Sequence, residues 1–306
     1  MKNNLICDPN TGVCGVGDEE EMEVIDLNQP QKTIDVYYVT DPMCSHCWAI
    51  EPVLRRFRKQ YGHYFRFHTV MGGLLEKWGD GPVDPANGIY GPADVTKHWR
   101  EVGEQTRMPI DGSLMQDNPV QSSYPASRVF KVIQNMHGDD VASTYLRRTR
   151  EAVFAFNRNI SDKEVLVKIV DDMGLEGEKI VTQAEEPSAQ KLLNEDFQQA
   201  RNLGAMGFPS ILMINEEKKG IKIVGGRPLD AYIQGLKQVL GVNELEPKEQ
   251  PTLTELLAEE ELLFSKEIEV MYDVDQTNIA SFIDEHLNSE QYDENELLGE
   301  KYIQIK

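Results

Sequence analysis

Cysteine is scarce, with four in 306 residues, too few to staple a scaffold, so an apolar core has to hold the chain together. Long apolar runs are missing as well. Stretches such as Phe208-Pro209-Ser210-Ile211-Leu212-Met213-Ile214 fall far short of the roughly 18 to 20 residues of a bilayer-spanning helix. Positive charge is in deficit: 31 Lys and Arg stand against 52 Asp and Glu, a net charge of −21. Such a field repels polyphosphate and anionic lipid surfaces, so neither nucleic acid nor membrane is an expected partner. The first residues, Met1-Lys2-Asn3-Asn4-Leu5-Ile6-Cys7-Asp8-Pro9, carry no apolar core or cleavage site of a secretory signal, and a cytoplasmic location is expected. Cysteine chemistry in that compartment is transient, catalytic or metal-binding. There is no Gly-x-x-x-x-Gly-Lys-Ser/Thr and no His-Glu-x-x-His, and Gly225-Gly226-Arg227 lacks the further glycines of a dinucleotide loop, so no cofactor is expected.

What is present is a core-sized apolar fraction, 40%, on a chain long enough for about two domains. Residues 1–30 hold Cys7 and Cys14 and the run Asp18-Glu19-Glu20-Glu21, and read as a mobile arm. Thr33–Thr40, rich in β-branched and aromatic residues, reads as a strand. From Cys44 the apolar residues recur at three and four positions, predicting one helix to Tyr61, and Tyr64–Met71 alternates as a second strand. Strand, helix, strand at this length implies a right-handed βαβ unit. Gly72 to Gly91 reads as a long loop beside a functional site. Helical spacing covers 93–104, 126–136, 140–156, 162–173 and 187–203. A hairpin of Ser210–Ile214 and Ile221–Val224 follows, then a helix from Pro228.

Beyond residue 243 the composition changes. Residues 244–306 hold 18 Asp and Glu but 4 Lys and Arg, so −14 of the net charge of −21 lies there. Leucines at helical spacing predict two short helices with a strand, Tyr302-Ile303-Gln304-Ile305, behind them: a helix-turn-helix-like module whose acidity suits docking to another protein better than to DNA.

Cys44-Ser45-His46-Cys47 is the sharpest feature. At a strand-to-helix junction a Cys-x-x-Cys brings both sulfurs within disulfide reach on the first helical turn. Unpaired N–H groups and the helix dipole there favour a Cys44 thiolate, with Cys47 as the more buried resolving thiol and His46 as a further stabilising charge or donor. Zinc held by all four cysteines is the competing reading, although six residues between Cys7 and Cys14 exceed the two to four usual between paired ligands. Cys7 and Cys14 alone remain open between mobile thiols, an accessory redox pair and a metal site. The second signal is Gly207-Phe208-Pro209-Ser210. A proline can open a central strand, and a cis bond there would turn the Phe208 backbone toward Cys44 to pair with an extended substrate. Trp48, Trp78 and Trp99 read as core or rim aromatics.

Cys44-Ser45-His46-Cys47, Gly207–Pro209 and the helical block between them resemble the DsbA-like branch of the thioredoxin superfamily. Asp41-Pro42-Met43, Trp48, Met71-Gly72-Gly73-Leu74 and His98-Trp99 look like its cytoplasmic FrnE-like members. The resemblance covers residues 33 to 240. It implies an α/β thioredoxin fold over residues 31–242 with a large helical insertion at about 92–204, a redox-active Cys44–Cys47 pair and a cis Pro209, with Ser45, Phe208 and Pro209 contacting substrate. The tail, 243–306, with Ser265-Lys266-Glu267-Ile268 before Tyr272-Asp273, is similar to that of the YjbH proteins, adaptors that present the transcription factor Spx to the ClpXP protease. Two functions are thus expected to compete. One is a cytosolic thiol–disulfide oxidoreductase or isomerase acting on protein or peptide disulfides through Cys44, Cys47 and His46. The other is an adaptor that holds a client or protease through its acidic tail.

Overall fold

The structure, a computed structural model, describes residues 6–7, 14–15, 34–79, 84 and 87–306. The chain divides into two units, Met1–Gln31 and Lys32–Lys306. In the first, β1 (Ile6–Cys7) and β2 (Cys14–Gly15) pair antiparallel with Cys7 opposite Cys14. The rest of the arm, and Thr33 at the start of the expected strand, lie outside the described residues.

The second unit opens on β3 (Ile34–Thr40). Helix α1 (Ser45–Ala49) and helix α2 (Glu51–Tyr61) follow, where the sequence predicts one continuous helix. The break has a covalent cause: Pro52 has no N–H to give to the carbonyl of Trp48, and its ring crowds the preceding turn. β4 (Phe65–Met71) then lies parallel to β3. Much later β5 (Ser210–Ile214) and β6 (Gly220–Val224) complete a four-stranded sheet of order β4-β3-β5-β6, with β5 antiparallel to both its neighbours.

Between β4 and β5 runs the helical insertion: α3 (Pro92–Thr106), α4 (Leu114–Asp117), α5 (Tyr124–His137), α6 (Asp139–Arg150), α7 (Lys163–Asp172), α8 (Gly177–Ala184) and α9 (Pro187–Asn202). The expected helix over 140–156 stops being α at Arg150. One π turn, Glu151–Ala155, replaces its end, and the Phe156 N–H reaches back five residues to Glu151 at 3.1 Å. The turn keeps Glu151, Val153 and Phe154 buried together. α8 lies in a gap left by the sequence reading, because its buried Ile180, Val181 and Ala184 are too few to set a clear period. Helix α10 (Leu229–Leu240) closes this part.

The core is layered. On one face of the sheet Phe57 of α2 and Tyr232 and Leu236 of α10 pack with Val36, Tyr38, Phe65 and Met213, in the cluster that also holds Cys44 and Cys47. On the other face Ala200 of α9 meets Val39, Val70 and Leu212. The insertion has its own core, into which Trp48 and Met71 project from the site end of the sheet.

The tail is richer than the sequence predicts. Helices α11 (Leu253–Glu260), α12 (Ser265–Tyr272) and α13 (Ile279–His286) surround an antiparallel sheet of β7 (Leu262–Phe264), β9 (Glu300–Ile305) and β8 (Tyr292–Leu297). Thr252 caps α11, its hydroxyl accepting from the Glu255 N–H at 3.2 Å while Glu255 accepts from the Thr252 N–H at 2.8 Å. β8 and β9 are joined by Leu298-Gly299, both at positive φ (53° and 79°), the geometry a two-residue hairpin turn requires. The module is therefore a helix-and-sheet unit, and the helix-turn-helix expectation is corrected.

Candidate functional site

β3 ends at Thr40, and Asp41-Pro42-Met43 turns the chain so that Cys44 becomes the N-cap of α1. Its backbone is extended (φ −82°, ψ 110°), and its Sγ accepts from the Cys47 N–H at 3.4 Å. Asp41 anchors this turn. Its buried carboxylate accepts from the Met43 N–H (2.9 Å), the Leu74 N–H (2.8 Å) and the Ser123 hydroxyl (2.8 Å), tying the loop after β4 and the insertion to the strand end. Burial nevertheless raises the Asp41 pKa above the ordinary carboxylate value.

Accessibility separates the two cysteines: Cys44 retains 7% of its surface and Cys47 none. Charge is divided the other way. The Cys44 thiol is held well above its ordinary pKa by its hydrogen bond to Cys47, then by burial and the nearby negative charge of Cys47 and Asp41. Burial also works against a Cys47 thiolate. The hydrogen bond from Cys44, the Arg150 guanidinium and the Thr40 hydroxyl outweigh it, and the Cys47 pKa falls. The two thiols therefore titrate as a pair, and the environment opposes the anion on Cys44 and favours it on Cys47. The thiolate expected on Cys44 is opposed by its hydrogen bond to Cys47 and by burial.

The ring of His46 meets that of His98 edge-on at 5.3 Å, and partial desolvation, followed by the charge of His98, lowers its pKa, which disfavours the charged form and leaves the N–H donor role open to it. The positive charge beneath the pair belongs to Arg150, a residue the sequence reading did not nominate. Arg150 is fully buried, bonded to the Thr40 hydroxyl and the Glu51 carboxylate, and 3.3 Å from the Asp41 carbonyl. Tyr38 donates to the Cys47 carbonyl at 3.3 Å. Ser45 is buried rather than presented to solvent.

Phe208–Pro209 is a cis peptide at the entry to β5, and Phe208 borders the cluster that contains both cysteines. The Phe208 ring fills the space a side chain at Gly72 would occupy. The structure thus brings Cys44, Cys47, Phe208 and Pro209 together at one end of the sheet. Cys7 and Cys14 belong to the other unit. Among the described residues, no three His, Cys, Asp or Glu side chains are arranged to hold a metal ion.

One further side chain ties this end to the tail. Trp48 follows Cys47, is fully buried, and donates to the Pro109 carbonyl at 3.0 Å. The ring of Phe264 meets it edge-on at 5.8 Å, and Arg147 lies 4.7 Å over its face. Glu267, 2% exposed, accepts from Arg55 (2.7 Å), Arg147 (2.8 Å) and the Phe264 N–H (3.0 Å). Burial disfavours its charge, yet the Arg147 and Arg55 charges hold its pKa below the ordinary value. Around this centre Arg56 holds Asp273, Lys59 holds Glu259, Arg148 holds Glu261, and Arg107 holds both Glu269 and Glu300. Much of the acidity that reads as a free docking face is therefore spent on fastening the tail to the basic side of α2 and to the insertion.

A strand end, a Cys-x-x-Cys at a helix start and a cis-proline at the entry to a strand of the same sheet define a thioredoxin-like domain with a DsbA-like helical insertion. A family profile described as Thioredoxin matches residues 37–234, more than half the chain, and the protein belongs to that family. Among solved structures it is similar to a putative protein disulfide isomerase from Nitrosomonas europaea (TM-score 0.54, 21% identity, 68% of this chain and 96% of that one). It is also similar to a probable DsbA oxidoreductase from Streptomyces coelicolor (TM-score 0.54, 17% identity, 72% and 94%). The cytosolic disulfide reductase DsbM from Pseudomonas aeruginosa gives a TM-score of 0.51 at 20% identity, over 68% of this chain and 100% of that one. Curated sequence relatives reach further along the chain. The ClpXP adapter protein SpxH of Halalkalibacterium halodurans is 28% identical over 282 residues, 90% of this chain and 88% of that protein. The SpxH of Bacillus subtilis is 28% identical over 249 residues, 80% of each.

Proposed function

We propose that this protein is a cytoplasmic adaptor that delivers a client, of the Spx type, to the ClpXP protease. The observation that carries the reading is the reach of the similarity: it runs over 90% of the chain, far past residue 234 where the thioredoxin match ends. The relatives that match over this length bear the adapter name, which draws the reading away from the FrnE-like oxidoreductases. The tail's fastening supports it too, since a surface meant to hold a client against a protease has to keep a fixed attitude to the rest of the adaptor. Carboxylates not used in fastening, among them Glu285, Glu290, Asp293 and Glu296, are exposed on and beside α13 and β8 and offer a basic partner an acidic face. The test is reconstitution. Purified ClpXP and an Spx-type client should give faster client loss when this protein is added. No acceleration, with no binding to the client, would overturn the reading.

A second activity has its own supporting observation, the meeting of an accessible Cys44, a buried Cys47 and Phe208–Pro209. In this reading Cys44 and Cys47 exchange with protein or peptide disulfides, with Ser45, His46, Phe208 and Pro209 at the substrate side. Cys44→Ser should abolish exchange with glutathione disulfide, and full retention would exclude the activity.

A further inference from the structure

Resolution of a mixed disulfide on Cys44 requires Cys47 to be a thiolate in a place with no access to water. Burial alone would keep it protonated. Three elements converge beneath that sulfur: the end of β3 with Tyr38, Thr40 and Asp41, the start of α2 with Glu51, and the last residue of α6, Arg150. Arg150 donates to the Thr40 hydroxyl, the Glu51 carboxylate and the Asp41 carbonyl, and its guanidinium lies 5.8 Å from the Tyr38 ring centre. The Thr40 oxygen accepts from Arg150, and its hydroxyl is within hydrogen-bond reach of both Cys47 and Tyr38. A guanidinium holds its proton even when buried, and more firmly than a lysine or histidine does. The π turn that starts at Glu151 lets the chain leave directly after Arg150 while keeping this side chain inward.

We propose that Arg150 is a positioning residue for thiol exchange: it fixes the Thr40 hydroxyl against Cys47 and provides the buried positive charge that lets Cys47 attack the mixed disulfide. The proposal rests on the thiol-exchange reading above. With glutathione disulfide as probe, Cys44 gives up its thiol proton and attacks one sulfur as the thiolate, forming Cys44–S–S–glutathione and releasing one glutathione thiolate, which takes up a proton. The Cys47 thiolate then attacks the Cys44 sulfur, forming the Cys44–Cys47 disulfide and expelling the second glutathione as thiolate, which takes a proton from solvent. No outside oxidant is needed. The groups facing Arg150 are Tyr38, Glu51, Cys47 and Cys44, with Asp41 close by.

The experiment follows the second step by mass spectrometry, as decay of the glutathione adduct on the full chain between pH 6 and pH 9. Arg150→Met should slow decay near pH 7 by roughly tenfold or more and move the rate–pH curve upward, since each unit of pKa is a factor of ten. Arg150→Lys, which keeps a charge, should recover much of the rate. Thr40→Val, which keeps Arg150, should move the curve in the same direction by less. A purely structural role for Arg150 would lower the unfolding midpoint and leave the pH dependence in place. If Arg150→Met does not fold, Thr40→Val and Arg150→Lys decide. Curves that superimpose on that of the parent protein overturn the proposal. An adduct that persists at every pH in the parent overturns the exchange reading itself, and this one with it, and is recognised because the parent fails.

Discussion

Gly72 shows how tightly single residues are specified around the cysteines. Its missing side chain is the seat of the Phe208 ring, so Gly72→Ala forces Phe208 off its place beside Pro209. The substitution should cost about 1–3 kcal/mol, the usual range for overpacking a filled site, and should slow glutathione exchange at Cys44. Thermal unfolding and adduct formation measure the two effects separately, and an unchanged exchange rate would remove Phe208 from the substrate side. At this scale the sequence is legible where the chemistry is contiguous. Cys44 to Cys47 and Gly207 to Pro209 each announce themselves because the reacting groups are neighbours in the chain. Arg150 does not, because it is 110 positions from the Thr40 it bonds and appears in the sequence as one more arginine on an amphipathic helix. His46 is less legible for the same reason: desolvation, and then its neighbour His98, remote in sequence, work against the charge that adjacency to two cysteines suggests.

Elements are predicted well where an apolar period is strong and poorly where tertiary contacts override propensity. β3, β5 and α10 fall within a residue or two of expectation. β8, Tyr-Asp-Glu-Asn-Glu-Leu, has almost no strand character of its own and exists because β9 and the turn at Leu298-Gly299 pair with it. α12 reads as an amphipathic tail helix, but its importance lies in what it and the preceding Phe264 touch. Phe264→Ala opens a cavity against Trp48 and should cost about 3–5 kcal/mol. Glu267→Gln leaves Arg55 and Arg147 buried without their shared carboxylate and should cost a comparable amount, about 3–5 kcal/mol. Both should shift Trp48 fluorescence, and an unshifted spectrum with undiminished stability would mean that the tail is not seated on Trp48. Removing residues 244–306 altogether does not cleanly separate partner capture from thiol chemistry, since it strips both contacts at once.

Across the whole molecule the acidic balance and the basic side of α2 and the insertion act together. Glu267, Glu269, Glu300 and Asp273 all have pKa values lowered by their Arg or Lys partners, against the opposing effect of burial for the three glutamates. Each binds its proton more weakly folded than unfolded. Their contribution to holding the tail is therefore complete above the ordinary values of 4.5 for Glu and 3.8 for Asp, and is lost as pH falls through the lowered folded values. Asp41 and Glu151, raised by burial, have the opposite sign: their contribution is greatest in acid and wanes as pH rises through their folded values. The account predicts that acid loosens the tail before it unfolds the sheet, seen as a Trp48 fluorescence change at higher pH than the loss of far-ultraviolet dichroism. Coincident transitions would contradict it. The overall α/β architecture was legible because the βαβ and ββα signatures bracket the insertion. The seating of the tail was not, because charge composition says how many carboxylates there are and not which arginines meet them.

The central claim is that the whole chain works as an adaptor and that thiol exchange is a separable capacity of its thioredoxin-like domain. The most direct measurement is the rate of Spx-type client degradation by purified ClpXP, under reducing conditions, with the parent protein and with the Cys44→Ser, Cys47→Ser double variant. Equal acceleration by both is the predicted result. Acceleration by the parent that disappears in the double variant, with the variant folded, would contradict the account and make the cysteines the working part of the molecule.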